Sequence, residues 1–240
     1  MANPSYAGKV VAVTGARTGL GRALAQHFLD LRATVLGLGR QQGSIEHPGY
    51  RHYSCDVRDA KAVRATFQQI GRDEAAGLHV LVNNAAVLKS QHSILLPAAS
   101  AEEMLMTNLL GPFLVSREAA KLMKRTPGGR IINVGSMAAS LEPLGDSIYA
   151  ACKAGLETLS NVLAKEFASF GITSNTVAVT AIETDMLAQL PRATVDAIIE
   201  KLPLARYAVE DDVFNVVDFF ASERSSYVTA QTIYLGGLHR

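Results

Sequence analysis

Apolar positions along this chain follow two rhythms. Short, nearly continuous apolar runs occur at 10–14 (VVAVT), 33–38, 53–57, 78–82, 131–134 and 173–179, with a last one at 232–235. Runs of that length predict strands, several of them buried on both faces. Between them, apolar residues recur at steps of three and four. Leu20, Ala23, Leu24, Phe28 and Leu31 do so after the first run. Val63, Phe67 and Ile70 follow the third, and Val213, Val216, Val217 and Phe220 come near the end. That spacing predicts amphipathic helices. Ser100 with Glu103 reads as a capping box opening a helix to about residue 124, bent by Gly111 and Pro112. Another helix begins near Ser147 and stops at Gly171. Segment 41–50, with Gly43, Pro48 and Gly49, reads as a loop. Segment 187–204 reads as one or two short helices.

Strands alternating with helices predict βαβ units. The expected fold class is α/β, a doubly wound, mainly parallel sheet of about seven strands flanked by helices. Residues 1–8 read as a tail and 9–240 as a single domain, since no linker or repeat interrupts the pattern. Of 240 residues, 48% are hydrophobic, enough for a sizeable core. The net charge of +1 is scattered along the chain, which excludes a nucleic-acid footprint or a basic membrane face. No apolar run approaches the ~18 residues of a membrane span. The N-terminus lacks an apolar leader, and Cys55 and Cys152 have no metal spacing. A cytoplasmic protein with no metal is expected.

The chemistry gathers around 135–155, GSMAASLEPLGDSIYAACKAG. Ser136 follows the strand ending at Gly135. Tyr149 and Lys153 lie four apart on the next helix, hence on one face. The intervening loop can fold Ser136 back beside Tyr149. At the carboxyl end of a parallel strand, that is where ligands bind in open α/β sheets. A Lys ammonium beside the phenol is expected to lower its pKa and fit it for proton transfer. A Tyr and a Lys at this spacing are also common by chance, so the rest of the chain decides.

GARTGLG, with Gly15, Gly19 and Gly21, lies between the first strand and its helix. Small residues there let the backbone approach a pyrophosphate at the helix N-terminus. The end of the second strand reads Leu38-Gly39-Arg40, with no acid to bind ribose hydroxyls. Arg40, with Arg17 in the glycine turn, suits a 2′-phosphate and so NADPH over NADH. Asp56, after the third strand, is a candidate acceptor for the adenine amino group.

Glycine turn, NNAA at 83–86, Ser136 and Tyr149-x-x-x-Lys153, in this order, resemble the short-chain dehydrogenase/reductase family over essentially the full chain. Among its members the chain looks most like the 3-oxoacyl-carrier-protein reductase-like ones. The resemblance implies a Rossmann-type domain and reduction of a ketone to a secondary alcohol by hydride transfer. It implies Tyr149 as proton donor, Lys153 as its pKa modulator and ribose ligand, Ser136 on the substrate oxygen, and Asn108 holding a water that links Lys153 to solvent. Implied cofactor contacts are Gly15, Arg17, Thr18, Gly19, Leu20, Gly21, Arg40, Asp56, Val57, Asn84, Ala85, Ile182 and Thr184, with Tyr149 and Lys153. Substrate contacts are expected from Ser136, Met137, Leu144, Tyr149, Met186 and Leu187. Their partly apolar character favours an acyl, cyclic or aromatic ketone.

Two departures keep alternatives open. Val179-Thr180 stands where the family has Pro-Gly, so the loop over the nicotinamide is expected to take another path. The arginines that dock a carrier protein correspond here to Pro127 and Phe170, with Arg125 and Arg130 displaced, which weakens a carrier-bound substrate. The rival readings are an NAD-dependent alcohol dehydrogenase and a low-turnover cofactor-binding partner subunit. The helices around 104–124 and 149–170 carry apolar residues on more than one side, from which a homodimer or homotetramer is expected.

Overall fold

The computed structural model describes residues 5–43, 45–126, 128–183, 187 and 192–237. Seven strands form one all-parallel sheet: β1 (Val10–Thr14), β2 (Thr34–Gly39), β3 (Tyr50–Ser54), β4 (Val80–Asn83), β5 (Arg130–Ser136), β6 (Thr173–Val179) and β7 (Thr232–Tyr234). Their order is β3-β2-β1-β4-β5-β6-β7. The order reverses between β1 and β4, the switch point at which such sheets open a crevice.

Helices cover both faces: α1 (Gly19–Asp30), α2 (Ala60–Asp73), α3 (Ala98–Leu105), α4 (Gly111–Met123), α5 (Ala138–Leu141), α6 (Ser147–Phe167), α7 (Arg192–Ile199) and α8 (Glu210–Ala221). Side chains alternate across a strand. Val11 and Val13 therefore join Leu24 and Phe28 of α1 and Val213, Val217 and Phe220 of α8 in one core. Val10 and Ala12 point the other way, into a second core with Val63, Phe67 and Ile70 of α2 and Val115 and Met123 of α4.

Several expectations shift. The capping box does not form: α3 starts at Ala98 with Pro97 at its N-cap, so Ser100 lies inside the helix. The proline, with φ fixed at −63°, sets the start three residues early. The expected bend is a π-helical turn, Met106–Leu110, directly before Gly111 and Pro112. The third strand is Tyr50–Ser54 rather than 53–57, because it pairs in register with β2 from Val35 to Gly39 and ends where β2 ends. Cys55 and Val57 are apolar because they lie buried beyond it. Ser136 belongs to β5, and the loop after it contains the short α5. Beyond α6, Gly171 takes a left-handed φ of 70° and stops the helical run as the sequence predicts.

Candidate active site

A cleft of about 800 Å³ opens at the carboxyl ends of the strands, a size suited to a ligand of cofactor scale. At one end, Gly15 and Gly19 have φ of 69° and 53°, which favours glycine. A Cβ on Gly21 would come within 2.3 Å of the Gly15 carbonyl oxygen, so only glycine fits. Thr14 ties this turn to the end of β4. Its Oγ1 accepts from the N–H of Asn84 at 2.9 Å and of Ala85 at 3.0 Å, while Asn84 Nδ2 donates back to the Thr14 carbonyl at 3.0 Å. Thr18, at the α1 N-cap, makes no side-chain cap bond, so it leaves the first N–H groups of the helix unclaimed. This is a cradle that fits a dinucleotide pyrophosphate.

Arg17, Thr18, Leu20, Arg40, Asp56, Val57, Asn84, Ala85 and Ile182 all line the cleft with the three glycines. Asp56 is not a free acceptor. Arg58 clamps it, Nε to Oδ1 at 3.0 Å and Nη2 to Oδ2 at 2.7 Å, and Nη1 reaches Glu103 at 3.3 Å. Those hydrogen bonds, with help from the Arg40 charge, hold the Asp56 carboxyl below the usual carboxylate range. Arg58, two residues beyond Asp56, carries no sequence pattern that singles it out.

At the other end, Ser136 closes β5, and its Oγ accepts from the Ala138 N–H at 3.1 Å. Tyr149 and Lys153 stand one turn apart on α6, all three buried and lining the cleft. The expected loop does bring Ser136 to Tyr149, and the two side chains hydrogen-bond. The electrostatics differ from the expectation. Burial pushes the Tyr149 phenol up to about 12, and the Ser136 hydrogen bond only partly offsets this. Lys153 directs Nζ to the Val134 carbonyl at 2.8 Å, and burial pushes its ammonium down to about 8.

Asn108 sits in the π turn, outside the cleft lining. Its Oδ1 accepts from the Val87 N–H and its Nδ2 donates to the Val87 carbonyl, both at 2.8 Å. It thus clamps the loop after β4. Pro112 has no N–H, so the Asn108 carbonyl four residues earlier lacks its α-helical partner.

Met137, Leu141, Leu144 and Leu187 line the substrate end, and Thr184 and Met186 lie outside the described residues. Neither Val179 nor Thr180 is left-handed. The Val179 carbonyl accepts from the Met137 N–H at 2.8 Å, joining the ends of β5 and β6. The sequence pattern also misses a polar wall, Ser90, Gln91, His92 and Asp146. Only Asp146, three residues before Tyr149, carried a signal, its i,i+3 spacing. Cys152 is buried, and burial raises its thiol pKa, which argues against a reactive thiol. Arg130 is buried too, donating to the carbonyls of Gly128, Gly129 and Ser222.

Comparison with known proteins adds three findings. A family profile described as Enoyl-(Acyl carrier protein) reductase matches residues 15–239. The 3-oxoacyl-(acyl-carrier-protein) reductases of Vibrio harveyi and Pseudomonas aeruginosa are each 33% identical to the chain. The first match covers 96% of both chains, the second 97% of this one and 98% of the other. Among solved structures, the aldohexose dehydrogenase of Thermoplasma acidophilum superposes with a TM-score of 0.87 at 27% identity, over 96% of this chain and 93% of that one. A short-chain type dehydrogenase/reductase from Mycobacterium marinum does so with 0.87 at 28%, over 97% and 96%.

Proposed function

The chain belongs to the short-chain dehydrogenase/reductase family and is an NAD(P)-dependent oxidoreductase acting on CH–OH and C=O groups; on that premise we propose that it reduces a ketone to a secondary alcohol with NADPH. The observation that carries this reading is the meeting of Ser136, Tyr149 and Lys153 in the cleft that also holds the glycine cradle.

The nicotinamide, when bound, supplies the hydride. The chain does the rest. Ser136 holds the carbonyl oxygen and Tyr149 gives it a proton. A phenol kept protonated by burial is the form that reduction needs, and it works against the oxidative direction. Lys153, fixed on Val134, would hold the ribose and feed the proton path. The Asn108 carbonyl, left without its α-helical partner by Pro112, would hold a water that carries that path to solvent. Gly15, Thr18, Gly19, Leu20 and Gly21 receive the pyrophosphate. Val57, Asn84, Ala85 and Ile182 border the rest of the cofactor, and Asp56, oriented by Arg58, borders the adenine. Arg40 and Arg17 take the 2′-phosphate. The missing carboxylate at the end of β2 supports NADPH over NADH.

The related reductases are named for acyl-carrier-protein substrates. Arg130 is committed to main-chain carbonyls, and Lys124 lies 4.0 Å over the Phe170 ring. The commitment of Arg130 argues against its joining a carrier-docking patch and favours a free small-molecule ketone, while Lys124 remains an exposed cation there. The enzyme in this reading is a cytoplasmic homodimer or homotetramer. Among the described residues no helix is long and apolar enough to cross a membrane.

Fluorescence titration with NADPH and NADH, then a ketone panel followed at the nicotinamide absorbance, tests the reading. Tighter NADPH binding and ketone-dependent oxidation are expected. Tighter NADH binding with alcohol oxidation would replace this reading with the dehydrogenase one.

A further inference from the structure

Asp146 has a side chain that its own helix does not use. It occupies the N-cap of α6, where an aspartate normally accepts from the first N–H groups of the helix. Here it makes no such bond. Its main chain serves the turn instead. The N–H donates to the Pro143 carbonyl at 3.1 Å, and the carbonyl accepts from the Ala150 N–H at 2.7 Å. The carboxyl is buried, with the residue 7% exposed. Ser90 hydrogen-bonds to it, yet Oδ1 has no partner. No cation among the described residues contributes to its state, and burial holds it above the usual carboxylate range. A buried carboxyl left short of hydrogen bonds is costly, and such a group calls for an explanation.

Its position supplies one. Asp146 lines the same cleft as Ser136 and Tyr149, near enough for its charge to act on the Tyr149 phenol. The loop carrying Ser90 is tied to the turn carrying Asp146. The Gln91 N–H donates to the Gly145 carbonyl at 2.9 Å, and Ser93 Oγ donates to Ser147 Oγ at 3.0 Å. The carboxyl is therefore held in place in the cleft wall that Ser136 and Tyr149 share, with Ser90, Gln91 and His92 on its side and Met137, Leu141 and Leu144 elsewhere in the lining.

Building on the reductase reading, we propose that Asp146, supported by Ser90, is a specificity-determining residue that accepts a hydrogen bond from a hydroxyl group of the substrate, so that the preferred ketones are hydroxylated ones. The hydroxyl would bond the carboxyl where Asp146 borders the cleft. An apolar substituent of the same size would leave a buried acceptor unmet, which discriminates strongly.

The test compares NADPH-dependent reduction of hydroxycyclohexanones with methylcyclohexanones substituted at the same ring carbon. The wild type should favour one hydroxyl isomer over its methyl partner by roughly tenfold or more in kcat/KM, as one hydrogen bond to a charged or buried acceptor allows. Asp146→Ala should bring that ratio near one, mainly through KM. Asp146→Asn, which keeps an acceptor oxygen, should retain part of it. A merely structural role would lower both substrates together and leave the ratio intact. No hydroxyl preference in the wild type, or a preference that survives in Asp146→Ala, overturns the inference and leaves the reductase reading standing. If Asp146→Ala fails to fold, the wild-type ratio decides. A wild type that binds NADPH and reduces neither class overturns the reductase reading, and this inference with it.

Discussion

Lys153 stands one turn from Tyr149 on α6, yet its ammonium bonds the Val134 carbonyl at 2.8 Å and lies 5.7 Å from the centre of the Tyr149 ring. The two groups are buried together, and burial drives their proton affinities apart, the phenol up to about 12 and the ammonium down to about 8. Both shifts favour the neutral forms.

This has a consequence for stability against pH. Lys153 titrates at about 8 in the fold against an ordinary 10.5. Between those values the unfolded chain holds a proton that the folded chain has released, so stability rises with pH across the window. Below it the full penalty of a buried ammonium remains. Tyr149 acts in the opposite sense, titrating at about 12 against 10.0. The folded chain keeps a proton there that the unfolded chain loses, so stability falls above about pH 10. The melting temperature of the wild type should therefore gain on that of Lys153→Met from about pH 8 to about pH 10.5. Parallel curves for the two proteins would show that the ammonium carries no burial penalty.

Arg40→Ala should weaken NADPH by roughly tenfold or more and leave NADH almost unchanged, because a charge-assisted hydrogen bond contributes about 1.5–3 kcal/mol. Fluorescence titration of both cofactors reads this directly. Equal losses for the two would remove Arg40 from the 2′-phosphate.

Assembly follows from what the helices leave outward. Leu114, Ala119, Leu122, Leu156 and Leu163 are buried within the chain itself, so most of the apolar surplus on these helices fills its own core. Leu105, Leu110 and Val162 remain 43%, 38% and 44% exposed. If those side chains pair subunits, Val162→Asp should reduce the mass seen by light scattering and lower turnover together, by unbracing the helix that carries Tyr149 and Lys153. A wild-type mass near the 25.6 kDa of one chain, with full activity, contradicts the assembly.

The sheet and the glycine turn were legible because their signals are local. Continuous apolar runs, helical spacing and three glycines between a strand and a helix each state their conformation within a few residues. Ser136, Tyr149 and Lys153 were legible for the same reason, as the end of one strand and one face of one helix. What escaped depends on competing near neighbours or on partners distant in sequence. The start of α3 was set by Pro97 rather than by the Ser100–Glu103 pair. The bounds of β3 were set by its register with β2. The state of Tyr149 turned first on its burial, which helical spacing does not reveal. Asp146 meets the loop with Ser90, more than fifty residues earlier, through a contact that no local pattern announces. Arg58 matters through Asp56, which the sequence had already assigned another partner.

The central claim is that the Tyr149 phenol protonates the substrate oxygen. The most direct measurement is ketone-dependent NADPH oxidation by Tyr149→Phe beside the wild type, with NADPH affinity taken by fluorescence on the same samples. The variant removes one oxygen atom from a packed ring, so fold and cofactor binding should persist while the rate drops by about 10²–10⁴-fold. A variant that binds NADPH normally and keeps more than roughly a tenth of the wild-type rate, well above that range, would contradict the account.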